Sequence, residues 1–240
     1  MFDEINSIFL DFDGTITKFD TVCTFFKTFA PSKWLDVEKD WIKGKINSKT
    51  CMQMQLNLIK NLTEEQFYNY LNSIELQDGF KDFCTIMQKH NKNIYIISDG
   101  FDFFIDYTLR KENLNIPFFT NKLKIEKENN YLKFNLFFDN EDKNCPLHLG
   151  CCKCKIAKMH TIENEKFIFA GDGLSDRCIA SKANLLFAKN SLKAHCIENN
   201  MNFVEFNDFN DILNHLFLKK GMKNAGFRTK NAHRSADKRT

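Results

Sequence analysis

Three apolar segments of the chain each end in a carboxylate next to a glycine, a combination that could bind a cation or move a proton. The segments are "IFLDFDG", "NIYIISDG" and "KFIFAGDG", and they carry Asp11, Asp13, Asp99 and Asp172. Asp-Gly is a common turn, so any one of these acids taken alone could be only a turn residue. Their recurrence at the ends of three apolar segments is poorly explained by turn chemistry and indicates a site of negative charge.

Carboxylates that converge in this way need a cation. Two unit charges about 4 Å apart repel by about 4 kcal/mol at an effective dielectric constant of 20. Oxygen ligands in this number favour Mg²⁺, which binds carboxylates together with water and phosphate oxygens. We therefore expect a magnesium ion, a lysine and a phosphate group to complete the site.

A parallel β-sheet would place these acids side by side. The three segments and a fourth, "NLLFAK", are apolar runs of the kind found in strands buried on both faces. Helical patterns lie between them; in "GFKDFCTIMQKHN", for example, Phe80, Phe83, Ile86 and Met87 share one face. This alternation predicts a doubly wound, Rossmann-like α/β fold, in which ligands bind at the carboxyl ends of the strands.

Residues 18–78 interrupt the alternation with four helical patterns in succession, which predicts an inserted helical cap. The α/β core is then formed by residues 1–17 and 79–218. Residues 117–138 alternate between apolar and polar side chains around an Asn-Asn pair, and we expect a β-hairpin there.

The charge of the chain is unevenly distributed. Of 34 basic and 31 acidic residues, eight basic residues and one acid lie in residues 219–240, which leaves the rest of the chain net acidic. A nucleic-acid-binding surface would need basic residues on the folded body, and we expect none there. The basic tail has no apolar periodicity and is predicted to be disordered, either a weak polyanion-binding arm or an artificial extension.

Cellular location is predicted from what the sequence lacks. No segment approaches the roughly 18 apolar residues of a membrane span, and the first residues do not resemble a signal peptide. Nine cysteines without a secretion signal indicate a reducing, cytoplasmic setting. In "CPLHLGCCKC", a structural Zn²⁺ is one reading and buried free thiols are the preferred one. The candidate zinc ligands are Cys145, His148, Cys151 and Cys154.

The motifs "DFDGT" and "IIS", a lysine before a helix, and "GDGLSD" resemble the four motifs of the haloacid dehalogenase-like phosphohydrolases, over about residues 8–218. A helical cap directly after the first motif is similar to the phosphoserine-phosphatase-like branch. Within that branch, "TFAPSKW", "ISDGFDFFI", "GCCK" and "NSLKAHC" resemble the phosphatases of methionine salvage that act on a methylthio-pentenyl phosphate. The resemblance implies a Mg²⁺-dependent phosphomonoester phosphatase with a small cytosolic substrate.

The resemblance also implies roles for individual residues. Asp11 would attack phosphorus and form an aspartyl phosphate, and Asp13 would act as the general acid and then the general base. Ser98 would donate a hydrogen bond to a phosphate oxygen, together with the backbone N–H groups of Asp99 and Gly100.

A lysine and a magnesium site complete this set. Both Lys153 and Lys155 lie in "CCKCK", and alignment with the Lys-x-x-Ile pattern of the family favours Lys153. Asp176 would orient the metal ligands. The residues implied at the metal site are Asp11, the carbonyl oxygen of Asp13, Asp172 and Asp176.

The substrate is the part that the sequence leaves open. Where phosphoserine phosphatase carries a glutamate that reads the substrate amine, this chain has Asp20, which would either bind a cation or cap the following helix. Phosphoserine, phosphocholine, phosphoethanolamine and pyridoxal phosphate each fit some relative. A phosphomutase and a non-catalytic binding protein are the alternatives from other classes, and no oligomeric state is predicted.

Overall fold

The computed structural model describes residues 2–162 and 165–222, with a seven-stranded β-sheet at the centre. In chain order the strands are β1 (Ile5–Leu10), β2 (Asn93–Phe101), β3 (Phe118–Glu128), β4 (Tyr131–Phe137), β5 (Lys166–Gly171), β6 (Leu185–Ala188) and β7 (Val204–Glu205). Their order in the sheet is β4-β3-β2-β1-β5-β6-β7, and all neighbouring pairs are parallel except β3 and β4. The predicted α/β class is confirmed.

Within the described residues, helices surround this sheet and fill the segment between β1 and β2. They are α1 (Thr21–Phe29), α2 (Trp34–Ile42), α3 (Ser48–Leu58), α4 (Glu64–Asn72), α5 (Phe80–Lys89), α6 (Asp102–Lys111), α7 (Lys153–Met159), α8 (Arg177–Ala180), α9 (Asn190–Glu198) and α10 (Phe209–Met222). Short 3₁₀ turns occupy Phe2–Glu4 and Leu174–Asp176. None of these helices is both long and apolar enough to cross a membrane.

Both faces of the sheet are covered at its centre, which explains the apolar run at the end of β1. In β1, Ile8 and Leu10 pack on one face with side chains of α5, α6 and α10. Phe9, which lies between them in sequence, packs on the opposite face with side chains of α7, α8 and α9. Successive side chains of a strand point to opposite faces, so a strand between two helical layers buries consecutive apolar residues, as Ile8, Phe9 and Leu10 do.

Helices α1 to α4 leave and rejoin the sheet at nearly the same place. The chain pairs with itself there, with Gln77 N–H donating to Ile16 C=O at 2.7 Å and Lys18 N–H donating to Glu75 C=O at 3.0 Å. The two ends of the helical insertion are therefore held next to each other, directly after β1.

The insertion has a hydrophobic core of its own, shared with the β3–β4 hairpin. The Phe25 ring of α1 lies 5.9 Å from that of Phe67 in α4, 5.2 Å from that of Phe104 in α6 and 5.9 Å from that of Phe134 in β4. The hairpin turns at Asn129 and Asn130, whose φ angles are 50° and 68°. Asparagine tolerates this left-handed region better than most residues, so the predicted hairpin is confirmed.

Only residues 219–222 of the predicted disordered tail lie within the described residues. Helix α10 continues to Met222, so residues 219–222 are helical rather than disordered. Phe209 and Ile212 near the start of α10 are buried and anchor this helix in the core. The rest of the predicted tail, residues 223–240, lies outside the described residues.

Candidate active site

The carboxyl ends of three adjacent strands meet at one edge of the sheet. Strand β1 lies between β2 and β5, so the residues that follow these strands are neighbours in space. Asp11 N–H donates to Ala170 C=O at 2.9 Å, which extends the β1–β5 pairing by one residue. The backbone of Asp11 is therefore fixed by the sheet itself.

Asp11, Lys153 and Asp176 form a buried charged group at this edge. Lys153 Nζ donates to Asp11 Oδ1 at 2.6 Å and to Asp176 Oδ1 at 2.5 Å. The second oxygen of Asp176 accepts the N–H groups of Asp172 and Gly173, both at 2.9 Å. Helix α7 begins at Lys153, so the lysine stands at the fixed start of a helix rather than on a free loop.

The two candidate lysines of "CCKCK" have different surroundings. Lys153 is buried, with 1% of its side chain exposed, between two carboxylates. Lys155 Nζ instead donates to the backbone C=O of Glu141 at 3.0 Å. Lys153 is thus the lysine beside Asp11.

A third carboxylate approaches the same place. Oxygens of Asp11, Asp172 and Asp176 lie within 4.8 Å of one another, the only such cluster of potential ligand groups found among the described residues. Asn190 Nδ2 holds Asp172 Oδ2 at 3.0 Å. Gly14 permits this approach, because a Cβ atom there would lie 2.6 Å from Asp172 Oδ2.

The electrostatics of this cluster fit a divalent cation. Burial, and then the charge of Asp176, raise the pKa of Asp172 to about 6. The same two causes raise the pKa of Asp11 well above its usual range, against the opposing charge of Lys153. Although burial alone would lower the pKa of Lys153, the two carboxylates raise it, so the lysine is positively charged. One lysine does not offset three carboxylates, and Mg²⁺ prefers this set of oxygen ligands.

Asp13 lies beside Asp11 in a different environment. Its two carboxylate oxygens accept hydrogen bonds from the hydroxyls of Thr21 and Ser98, the second at 3.1 Å. Loss of contact with water raises the pKa of Asp13, and these two hydrogen bonds oppose the rise. A side chain at Gly100 would collide with Asp13, so that glycine leaves room for the carboxylate. Thr21 carries no motif signal of its own, so this contact could not be predicted from the sequence.

Two of the expected phosphate donors near the end of β2, the Ser98 hydroxyl and the Gly100 N–H, have partners within the protein. Ser98 Oγ accepts the N–H of Gly100 at 2.8 Å while donating to Asp13. The carboxylate of Asp99 accepts hydrogen bonds from the Ser48 hydroxyl, from Asn121 Nδ2 at 3.1 Å and from Cys151 N–H at 2.9 Å. Asp99 thus links α3 to the loop before Lys153. The contact of Ser48 is a second one that could not be predicted from the sequence.

Asp20 caps a helix, as one of its two predicted roles requires. Its carboxylate accepts the N–H of Cys23 at 2.7 Å, which makes it the N-cap of α1. It also lines the pocket that contains Asp11 and Asp13.

The cysteine-rich loop does not assemble the predicted zinc ligands. Cys154 Sγ lies 3.1 Å from Cys178 Sγ, and Cys151 Sγ donates to Phe119 C=O at 3.5 Å. His148 is exposed, and these residues form no group of ligand atoms close enough for a metal among the described residues. The zinc prediction therefore finds no support, whereas the preferred reading fits: all nine cysteines are free, and Cys145, Cys151 and Cys152 are buried.

These groups open into a pocket of about 260 Å³ between the sheet edge and helices α1 to α3. The end at the sheet is acidic, with Asp11, Asp13 and Asp172. The helical end is mainly apolar and aromatic, and includes Phe26, Trp34, Trp41, Met52 and the carboxylate of Glu38. Such a pocket suits a small molecule with a phosphate at one end and an apolar or cationic group at the other.

Comparison with known proteins agrees with this geometry. The sequence profile of the family described as "Putative Phosphatase" matches residues 7–186. The 2-hydroxy-3-keto-5-methylthiopentenyl-1-phosphate phosphatase of Bacillus pumilus is 30% identical over 84% of this chain and 87% of its own length. The phosphatase of the same name from Bacillus cereus is 29% identical over 87% of this chain and 94% of its own length.

Solved structures share the fold at lower sequence identity. A phosphoserine phosphatase captured as a phospho-aspartyl intermediate analogue superposes with a TM-score of 0.66 at 19% identity, over 88% of this chain and 98% of that chain. The phosphoserine phosphatase of T. onnurineus gives a TM-score of 0.64 at 12% identity, over 89% of this chain and 96% of that chain. At these identities the likeness concerns the fold alone.

Proposed function

Since the chain belongs to the family described as "Putative Phosphatase" and is a haloacid dehalogenase-like phosphatase, we propose that it hydrolyses a small phosphomonoester in two displacements at Asp11, with Mg²⁺ bound beside it. The observation that carries this proposal is the buried contact of Lys153 with Asp11 and Asp176, next to Asp172, at the edge of the sheet. A fixed carboxylate beside a fixed cation is what nucleophilic attack on a negatively charged phosphate requires.

Asp11 is the nucleophile in this proposal. Its Oδ1 is held by Lys153, which leaves Oδ2 to attack phosphorus. The new bond from Oδ2 to phosphorus forms as the ester bond breaks, and the leaving alcohol oxygen departs toward Asp13. Lys153 neutralises part of the charge that would otherwise repel the phosphate.

Asp13 acts first as the general acid and then as the general base. Its raised pKa favours the protonated form that gives a proton to the leaving oxygen. The resulting carboxylate then takes a proton from water as the water attacks the aspartyl phosphate. Inorganic phosphate leaves, and both Asp11 and Asp13 return to their starting states. Ser98 orients Asp13 and donates to a phosphate oxygen once substrate displaces its present contact.

Asp11, Asp172 and the backbone carbonyl of Asp13 would hold Mg²⁺, and Asp176 would orient them through Lys153 and the N–H groups of Asp172 and Gly173. When bound, the ion would neutralise phosphate oxygens and the carboxylates around them.

Residues 18–78 act as the cap that selects the substrate. Helices α1 to α3 supply the far wall of the pocket, and the paired ends of the insertion lie directly after the strand that carries Asp11. Phe26, Trp34 and Met52 in this wall support an apolar leaving group, such as the methylthio chain in the name of the Bacillus relatives.

A second candidate substrate class is favoured by one observation. Among the described residues that line this pocket there is no lysine, arginine or histidine, whereas Asp20 and Glu38 lie near Trp34 and Trp41. Carboxylates and indole rings bind alkylammonium groups through charge and cation–π contact. Phosphocholine and phosphoethanolamine are therefore the alternatives to a methylthio-pentenyl phosphate.

Phosphate release from these esters, from phosphoserine and from pyridoxal phosphate tests the proposal. The assay is run with Mg²⁺ and with EDTA, beside the Asp11→Asn variant. We expect metal-dependent release that is concentrated on one compound and absent in the variant. Equal release by Asp11→Asn would refute the mechanism. Absence of release, with transfer of phosphate within or between substrates, would identify a phosphomutase instead, and binding without either reaction would identify a non-catalytic relative.

A further inference from the structure

A second pocket adjoins the active-site pocket. It has a volume of about 460 Å³ and lies between the α2–α3 connection and the cysteine-rich loop, residues 145–152. Trp41 and Leu174 line both pockets, so the two share a wall. We call this second cavity the Arg177 pocket, after the residue at the start of α8 that lines it.

The Arg177 pocket differs from the active-site pocket in charge. No carboxylate lines it among the described residues, whereas Lys45, His148 and Arg177 do. Lys45 Nζ is engaged by Asp40 at 2.7 Å, which offsets its charge. Asn47, the N-cap of α3, also lines the pocket, so the partly positive end of that helix lies at its rim. The net field in the cavity therefore favours an anion.

Among the described residues, no partner is found for Arg177. Within the described residues its guanidinium makes no hydrogen bond or ion pair, and its Nε atom is buried and unsatisfied. The nearest carboxylate along the chain, Asp176, is already occupied by Lys153 and by two backbone N–H groups. A buried donor without an acceptor is uncommon in a folded protein and requires an explanation.

We propose that the Arg177 pocket binds an oxyanion, a carboxylate or a phosphate, with the Arg177 guanidinium as the main ligand. The planar fork of arginine matches two oxygens of either group. Because the Arg177 pocket shares a wall with the active-site pocket, the anion can come from either of two sources. It is either a second anionic group on the substrate, which rests on the proposed phosphatase function, or a free anion that binds beside the active site.

The first arm of the test measures hydrolysis of two ester series. One consists of alkyl phosphates of three to six carbons, and the other carries a carboxylate at the far end of the same chains. For a substrate-borne anion, we expect the wild type to prefer the carboxylate series in kcat/KM. Arg177→Met should reduce this preference by about tenfold, mainly through KM, and leave alkyl phosphate hydrolysis unchanged.

Matched variants separate this effect from a general loss of charge or stability. Arg110→Met removes an exposed arginine that pairs with Asp106 on α6, away from both pockets, and should behave as the wild type. Arg177→Lys retains the charge but not the fork, so we expect an intermediate preference. It also provides a folded variant if Arg177→Met is unstable.

The second arm measures succinate binding by calorimetry in EDTA, which needs no catalytic activity. Succinate that binds the wild type and Arg110→Met but not Arg177→Met, without a preference between the ester series, would assign the site to a free anion. An unchanged ester profile and unchanged succinate binding in Arg177→Met would overturn the proposal. If no protein hydrolyses any ester, the phosphatase function fails, and the calorimetry alone decides whether Arg177 binds an anion.

Discussion

The two ends of the active-site pocket are built in different ways. At the sheet end, Asp11, Lys153 and Asp176 are fixed by hydrogen bonds between elements far apart in sequence, on a backbone that the sheet holds. At the helical end, Trp34 and Met52 are held by packing in the core of the insertion. Rigid polar contacts suit a reaction centre in which the phosphate must always be held in the same geometry. The side chains of a packed apolar wall can instead differ between relatives that act on different substrates.

Among substitutions at the two ends of the pocket, Asp11→Asn should have the largest effect on turnover. We expect turnover to fall by roughly 10⁴-fold or more, because asparagine cannot form the covalent intermediate. The fold should survive, because the amide oxygen can still accept a hydrogen bond from Lys153, which keeps Asp176 as its charged partner. Phosphate release and thermal melting measure the two effects.

The matched control is Glu38→Gln at the helical end, which makes the same change from carboxylate to amide. Glu38 accepts a hydrogen bond from Gln55 Nε2 at 2.7 Å and has no contact with Lys153. Its kcat should remain near that of the wild type, with any change confined to KM. A loss of kcat equal to that of Asp11→Asn would erase the distinction between the two ends.

The next largest difference should lie between the two lysines of the cysteine-rich region. Lys153→Met should reduce kcat/KM by about 10²–10³-fold. It should also lower the free energy of unfolding by about 3–5 kcal/mol in EDTA, because it leaves buried carboxylates without their cation. Lys155→Met removes only a contact with a backbone carbonyl and should change both quantities little. Enzyme kinetics and denaturant unfolding measure the two effects. Equal effects of the two substitutions would contradict the assignment of Lys153.

The sheet end of the pocket could largely be predicted from sequence for a local reason. Each of its acids follows an apolar strand, and the alternation of strands and helices indicates that the strand ends meet. Asp11 and Asp172 were found in this way, whereas Lys153 was predicted from the resemblance to a family motif, and the structure brings the three together. The hairpin turn was likewise marked by its own residues, Asn129 and Asn130.

The contacts that were missed depend on docking of the insertion. The Ser48 hydroxyl reaches Asp99 only because α3 lies over the end of β2, and the Thr21 hydroxyl reaches Asp13 because α1 begins beside the end of β1. No spacing in the sequence reports such a meeting of distant segments. The zinc alternative finds no support for a related reason, since Cys154 lies against Cys178, a cysteine outside the motif.

A smaller effect, confined to binding, is expected at the helical end. Trp41→Ala removes a half-buried ring from the pocket wall and should raise KM for the preferred substrate by about tenfold, with kcat nearly unchanged. Leu35→Ala is the control, since Leu35 is 44% exposed on the same helix and does not line the pocket. A fall in kcat for Trp41→Ala, without a rise in KM, would show that this wall positions the reacting groups.

The smallest effect concerns how the stability of the sheet end depends on pH. The pKa of Asp172 is raised from 3.8 to about 6, by burial first and Asp176 second, so the folded protein holds this proton more tightly than the unfolded chain does. In EDTA, the free energy of unfolding should therefore fall as pH rises from about 4 to about 6. Asp172→Asn should make this fall shallower, whereas Glu38→Gln should not.

Magnesium ions should oppose the same fall, because a cation favours the ionised carboxylates. At pH 7 we expect Mg²⁺ to raise the melting temperature of the wild type by about 2–4 °C, which corresponds to about 1 kcal/mol in a chain of this size. The rise should be smaller in Asp172→Asn and unchanged in Glu38→Gln. If Mg²⁺ stabilised Asp172→Asn as much as the wild type, Asp172 would not be a ligand of the ion. The carboxylates at the sheet end would then serve the reaction without holding a metal.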